Sequence, residues 1–211
     1  SLDPDEDVPA GYVKYTLDSA STGGFAISYQ ADPAGLKLGE AEGPGEGASG
    51  AAVNPGTNIW YTFLSKAAFE NAATPFPTPI AVSNNAGVAV GDAGASRANL
   101  AISGGTAVLA YEETKGSGSS GKQIIYHSFP YATPDANSAG TTISNPANNA
   151  RRVRFLLQGN EALTDGGDAG AVGATTKGVH VMLLWRETSL TTPAAASDIM
   201  MSRGIRNTVL R

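Results

Sequence analysis

The sequence predicts an all-β protein of repeated four-stranded antiparallel meanders, and three observations support this class. Short segments rich in β-branched and aromatic residues alternate with segments rich in Gly, Pro, Ser and Asn. Glycine occurs 26 times and proline 12 times in 211 residues, which is typical of many short strands joined by turns. Two neighbouring strands, 107–113 and 122–129, also resemble a later pair within 179–203; Tyr111 corresponds to Trp185, a separation of 185 − 111 = 74 residues.

Composition limits the functions that the chain can have. Hydrophobic residues make up 41% and charged residues 16%, which is a globular composition. The net charge of −5 argues against a nucleic-acid-binding surface. The absence of cysteine excludes disulfides, thiolate zinc sites and cysteine nucleophiles. No stretch approaches the roughly 20 apolar residues of a transmembrane helix.

The N-terminal half is interpreted in chain order. Residues 1–23 are predicted to be an acidic, solvated arm, with a calcium loop as the alternative. A first strand is predicted at 24–30. A long loop is predicted at 36–55, whose glutamates would form either a flexible acidic surface or a cation or partner contact. A strand at 58–65 precedes a single helical turn at 66–71, and the prolines of 72–79 require an irregular crossing.

The remaining strands recur in a fixed order. Short edge strands at 80–84 and 142–145 each end in a Ser-Asn turn, and each precedes a strand that carries an arginine, 95–102 and 150–157. Arg97 and Arg152 are equivalent in this comparison, and the unit that follows Arg152 carries an additional loop at 164–176. The predicted units are 58–122 and 123–196, within a propeller-like region 24–211.

Four-stranded meanders that repeat in this way are typical of β-propeller blades. The chain supplies about three blades, whereas propellers usually have 4–8. We therefore expect either part of a larger propeller or an open stack of sheets. The expected partner is the remainder of the parent chain or another protein chain. The chain begins with Ser1 rather than Met, so we expect either a removed targeting segment or a piece of a longer protein.

Several segments resemble the blades of sialidase-type propellers, and more closely the choice-of-anchor O family of bacterial surface proteins. The segments are ASRANLAIS, GTAVLAYEET, KQIIYHSFPYATPD, TTISNPANNARRVRFLLQ and EAEGPGEGASGAAVNPGTNIWYTF. The resemblance covers most of 24–204. It implies a propeller fold and an exported protein that is periplasmic, at the cell surface or extracellular, and it implies no particular activity.

The resemblance to sialidases also names candidate ligand-binding residues. Sialidases use several arginines with a carboxylate and a Tyr–Glu pair, and Arg97 and Arg152 could point toward one axis as such arginines do. Glu112 and Glu187 are the candidate carboxylates. The structural alternative is that the arginines bond backbone carbonyls of neighbouring blades and the glutamates satisfy turns. The Asp-box turn of sialidases is absent from the sequence. The basic segment 151–154 is interpreted as a solvated or ion-paired strand.

The functional prediction is a non-catalytic structural or binding segment of an exported bacterial propeller. The alternative is a sialidase-like glycoside hydrolase or a glycan-binding propeller. Asp165 and Asp168 lie in a turn-like Asp-Gly-Gly-Asp segment and are candidate calcium ligands; no other cofactor is predicted.

Overall fold

Strands are the main secondary structure of the chain that the structure describes. The computed structural model describes residues 11–18, 23–31, 58–71, 73–84, 94–103, 106–114, 121–136, 139–157, 180–191 and 197–205. Within these ranges the strands form three sheets, and every pairing is antiparallel. The all-β prediction is confirmed.

Strands of the first sheet lie side by side in chain order. They are β1 (Gly11–Asp18), β2 (Gly24–Ala31), β3 (Asn58–Ser65) and β4 (Ile80–Ala81). The predicted helical turn after β3 is present as α1 (Lys66–Phe69). Its N-cap is Ser65, whose hydroxyl accepts a hydrogen bond from the Ala68 amide at 3.2 Å.

The second and third sheets follow the same order. The second sheet contains β5 (Gly94–Ser103), β6 (Thr106–Thr114), β7 (Gln123–Pro130) and β8 (Thr141–Thr142). The third contains β9 (Asn148–Leu157), β10 (His180–Ser189) and β11 (Asp198–Ile205), with β10 in the middle.

The sheets divide the strands differently from the predicted units 58–122 and 123–196. The predicted units begin at 58 and 123, the first residues of β3 and of β7, whereas β3 pairs with β2 and β7 pairs with β6. The edge strands β4 and β8 complete the same two sheets by pairing with β3 and β7. Serine side chains fix this pairing. Ser83 Oγ accepts from the Ile59 amide and Ser144 Oγ accepts from the Ile124 amide, both at 2.9 Å.

The predicted arm 1–23 also requires a correction, because its residues 11–18 form β1. The alternation of Val13, Tyr15 and Leu17 with polar neighbours has the period of a strand, and β1 pairs with β2 from Asp18 to Gly11. The acidic composition of the preceding residues concealed this pattern.

A β-bulge interrupts the first strand of each sheet, always opposite an aromatic residue. The register shifts in β1, β5 and β9 lie across from Tyr29, Tyr111 and Trp185. Arg97 and Arg152 occupy the bulges of β5 and β9 with φ of 55° and 62°, in the left-handed region that non-glycine residues rarely adopt. At a bulge the side chain points in a different direction from the one it would have in a regular strand.

Two apolar layers separate the three sheets. One contains Ala26, Ile59 and Tyr61 of the first sheet against Leu109 and Tyr111 of the second, among others. The other layer packs the opposite face of the second sheet against the third, with these buried members: Ala101, Val108, Ala110, Ile124, Tyr126, Ala150, Val153, Leu183 and Trp185. The second sheet is therefore covered on both faces.

A buried hydrogen bond anchors the recurring aromatic position in the second sheet. The Tyr111 hydroxyl lies 2.9 Å from His127 Nε2, and the two rings stack with centroids 5.5 Å apart. Both residues are almost fully buried. Burial, with the nearby Glu113 carboxylate, raises the pKa of Tyr111 above its ordinary value, so the phenol stays neutral and available as a hydrogen-bond partner.

Tyr111→Phe should destabilise the protein by about 1–2 kcal/mol, because the change removes the buried hydrogen bond between the Tyr111 hydroxyl and His127 Nε2. Urea unfolding at neutral pH measures the difference. Tyr15→Phe is the matched control, since Tyr15 is 79% exposed. Equal stability of the two variants would contradict the assignment.

Candidate anion-binding site

Arg97 and Arg152 lie together at two adjoining cavities. The cavity of about 300 Å³, here the Lys14 cavity, is lined by Lys14, Arg97, Ala98, Asn99, Arg152 and Arg154. The cavity of about 460 Å³, here the Arg186 cavity, is lined by Arg97, Asn149, Arg151, Arg152, Arg186 and Thr188. Arg97 and Arg152 therefore line both cavities.

The bulges explain why residues far apart in sequence meet here. Lys14, Asn99 and Arg154 are the first residues to resume regular pairing after the three bulges, opposite Ser28, Ala110 and Leu184. The bulged strands are also neighbours, since β1 contacts β5 and β5 contacts β9. Corresponding positions of three successive sheets therefore line one cavity.

Each arginine bulge is fixed by a side chain of the preceding sheet. The Arg97 amide donates to Gln30 Oε1 at 3.2 Å, and the Arg152 amide donates to Glu112 Oε1 at 2.6 Å. Gln30 and Glu112 follow the recurring aromatic residue in their strands. We call this contact the amide lock. It satisfies an amide that the bulge removes from regular strand pairing.

The Glu112 side chain has a structural role as the acceptor of the amide lock. Its side chain is fully buried, and Oε2 lies 3.5 Å from Arg151 Nε and 3.8 Å from Lys122 Nζ. The candidate carboxylate is thus a buried counter-ion beside the cavities, and it does not line either of them. The structural alternative for Glu112 is the one that the geometry supports.

The pKa of Lys122 is affected by the several positive charges around Glu112. Burial lowers the pKa of the Lys122 ammonium, Glu112 opposes this shift, and Arg151 and Arg97 lower the pKa further. The Lys122 Nζ also donates to Ser96 Oγ at 3.2 Å. The group is therefore held by hydrogen bonding in a locally cationic environment.

Glu187 is also a structural carboxylate. Oε1 accepts from the Asn145 amide at 3.0 Å and from Trp185 Nε1 at 2.8 Å, and Oε2 accepts from Asn148 Nδ2 at 2.8 Å. Burial would raise the pKa of Glu187, but the donors from Asn148, Trp185 and Asn145 outweigh it and lower the pKa below 4.5. Glu187 therefore ties the turn after the second sheet to the third sheet.

Six of the 14 Lys and Arg residues of the chain line the two cavities. The lining of either cavity contains no acidic residue among the described part of the chain, although the net charge is −5. Four of the six cationic residues, Lys14, Arg152, Arg154 and Arg186, are exposed. Such a concentration of charge on a polar, open surface attracts anions.

The sequence identified Arg97 and Arg152 but missed four other cationic lining residues. Lys14 was included in the predicted arm, and Arg151 and Arg154 were interpreted as a solvated or ion-paired strand, which holds for the Arg151–Glu112 contact. Arg186 carried no signal. Its correspondence with Gln30 and Glu112 could have been noticed from the aromatic residue before it.

The predicted calcium ligands Asp165 and Asp168 lie outside the described residues, so the calcium site stays a prediction. Among the residues that are described, no group of three or more His, Asp or Glu side chains is arranged to hold a metal ion. In the same part of the chain, no helix has the length and apolar character needed to cross a membrane.

Comparisons with known proteins gave no relative. No family model, no curated protein sequence and no solved structure matches the chain.

Replacing Glu112 tests the amide lock. Glu112→Ala should cost about 1–3 kcal/mol of unfolding free energy, because the part-buried amide of Arg152 loses its acceptor. Glu112→Gln should cost less, since a glutamine already performs this role at position 30. Chemical denaturation of both variants checks the order. Equal losses would show that charge, and not the amide acceptor, dominates.

Protonation of Glu187 should destabilise the fold in acid. A carboxyl whose pKa is lowered by folding contributes stability above its unfolded pKa of about 4.5, and that contribution is lost as the pH falls through the folded value. Glu187→Gln should therefore be less stable than the native protein at pH 7, with a smaller decline between pH 5 and pH 3 in thermal unfolding.

Glu70→Gln is the control for this measurement, because Glu70 is exposed beyond α1. A Glu187→Gln variant with the native pH profile would contradict the role assigned to Glu187.

Proposed function

We propose that the chain is a non-catalytic binding module of an exported bacterial β-propeller protein, and that its two cationic cavities bind an acidic glycan. The observation that carries this proposal is the convergence of Arg97 and Arg152 on both cavities, without any acidic residue in their described lining. The fold, compartment and ligand are separate parts of the proposal and have separate support.

The propeller interpretation rests on correspondence between the sheets. Each begins with a bulged strand, an aromatic residue faces each bulge, and the bulged strands are adjacent in space. Ser83 and Ser144, which follow the edge strands, accept the corresponding amide hydrogen bond from β3 and from β7. Successive blades of a propeller place their first strands around one axis in this manner.

Export and surface location rest on the resemblance to the choice-of-anchor O family. That resemblance lies in the same segments that form β5, β6, β7 and β9. The proposed protein partner is the remainder of the parent chain or another chain that completes the sheet stack.

An acidic glycan suits the chemistry of the lining. A guanidinium group presents a planar set of donors that matches a carboxylate or sulfate in two parallel hydrogen bonds. Asn149 and Thr188 add amide and hydroxyl groups, which hydrogen-bond sugar hydroxyls. The cavities are open and polar, as expected for a site that recognises a soluble polar chain.

A sialidase-like hydrolase has less support. Glycoside hydrolysis generally requires two carboxyl groups that flank the scissile bond. Glu112 and Glu187 are buried and each is bonded to protein donors or cations. They are therefore placed to stabilise the sheets, and a binding role for the arginines is the simpler proposal.

Calorimetric titration with 3′-sialyllactose and with lactose tests the proposal, because the pair differs by one acidic sugar. We expect binding of the acidic sugar only, weakened by added salt. Arg152→Asn should weaken it at least about tenfold by removing a charge-assisted contact. Asparagine tolerates the left-handed φ of 62° at this position, so the bulge is preserved.

Lys66→Ala is the matched control, since it removes a cation that lines neither cavity. Equal binding of lactose, or full binding by Arg152→Asn, would contradict the proposed site. Release of free sialic acid from the acidic sugar would instead support the hydrolase alternative.

A further inference from the structure

At one position, the third sheet differs from the other two in the exposure of an isoleucine side chain. Ile59, Ile124 and Ile199 occupy the same register, each one residue before the partner of the recurring aromatic position. Ile59 and Ile124 are 0% exposed, whereas Ile199 is 73% exposed. The same side chain is thus covered in two sheets and uncovered in the third.

The neighbouring position shows the same contrast. Tyr61 and Tyr126 are 1% and 3% exposed, and the corresponding Met201 is 57% exposed. In the first two sheets this face packs against the following sheet. The third sheet therefore presents an apolar face, which we call the trailing face, of the kind that another sheet covers.

On its opposite side, the first sheet has apolar residues that no preceding sheet in the described part of the chain covers. Val13 corresponds in register to Ala98 and Val153. Those two residues pack against the preceding sheet and are each 1% exposed, whereas Val13 is 53% exposed. Tyr15 and Leu17, on the same side of β1, are 79% and 55% exposed. We call this surface the leading face.

The trailing face and the leading face are the two halves of an interface that the molecule already forms twice. The trailing side of the first sheet packs on the leading side of the second, and the trailing side of the second packs on the leading side of the third. We infer that a second copy of this chain docks head to tail, with the leading face of one copy on the trailing face of the other.

This association is heterologous, because different surfaces of the two copies meet. Two copies that satisfy both faces close a ring of six described sheets, a number within the range of propellers. Copies that fail to close extend into an open stack. The uncovered side chains in both faces are the driving force, since contiguous exposed apolar surface marks interaction sites.

Arg186 distinguishes this interface from the internal ones. It stands where Gln30 and Glu112 accept the amide of the next bulge, and a guanidinium cannot accept a hydrogen bond. The intermolecular contact therefore lacks the amide lock. Association is weaker than the packing between sheets of one copy and depends on protein concentration.

Sedimentation velocity over a concentration series measures the association. We expect the native chain to shift from monomer to dimer or larger species as its concentration rises. Ile199→Asp disables the trailing face and Tyr15→Asp disables the leading face, so each variant alone should remain monomeric. Because both side chains are largely exposed, neither substitution disturbs the packed layers of the monomer.

An equimolar mixture of the two variants is the decisive measurement. The intact leading face of Ile199→Asp can meet the intact trailing face of Tyr15→Asp, so the mixture should form a 1:1 dimer through one restored interface. Phe76→Asp is the control, since Phe76 is an exposed apolar residue in the crossing between α1 and β4 and belongs to neither face; it should associate as the native chain does.

Met201→Asp and Leu17→Asp repeat the experiment with independent substitutions on the same faces. A native chain that stays monomeric at all concentrations would overturn the inference. So would a mixture that fails to associate, or a Tyr15→Asp variant that still self-associates, because either result excludes head-to-tail docking.

Discussion

The amide lock is the contact on which the arrangement of the arginine-bearing bulges depends. A residue with φ near +60° in the first strand loses regular pairing, and its amide needs an acceptor away from water. Gln30 supplies that acceptor for Arg97, and Glu112 supplies it for Arg152. Because each acceptor belongs to the preceding sheet, one hydrogen bond both stabilises the bulge and sets the position of adjacent sheets.

The same contact explains why so many cations gather on an acidic chain. The bulges present Arg97 and Arg152 at shared cavities, and Glu112 lies buried behind them as a counter-ion for Arg151 and Lys122. A buried carboxylate that is paired and hydrogen-bonded reduces repulsion among the cations without occupying the cavity. The positive surface thus remains available to a ligand, while its neutralising charge stays inside the structure.

Sequence comparison predicted strands in a recurring order but could not determine where a sheet begins. A set of four strands in repeating order reads the same from any starting strand, and only the pairing of β3 with β2 and of β7 with β6 decides the boundary. The correspondence of Arg97 with Arg152, and of Ser83 with Ser144, was visible in the sequence. The bulges were not, because a register shift leaves no residue pattern, and Lys14 was hidden beside an acidic segment.

The residue after the recurring aromatic position has two incompatible uses. As Gln30 or Glu112 it accepts the amide of the next sheet, and the sheets are locked together. As Arg186 it donates to Ser197 and lines the larger cavity, which adds positive charge but offers no acceptor to a following sheet. A residue at this position can therefore accept the amide of the next sheet or add positive charge to the cavity, but it cannot do both. In the first two sheets this residue accepts the amide of the next sheet, and in the third it lines the larger cavity.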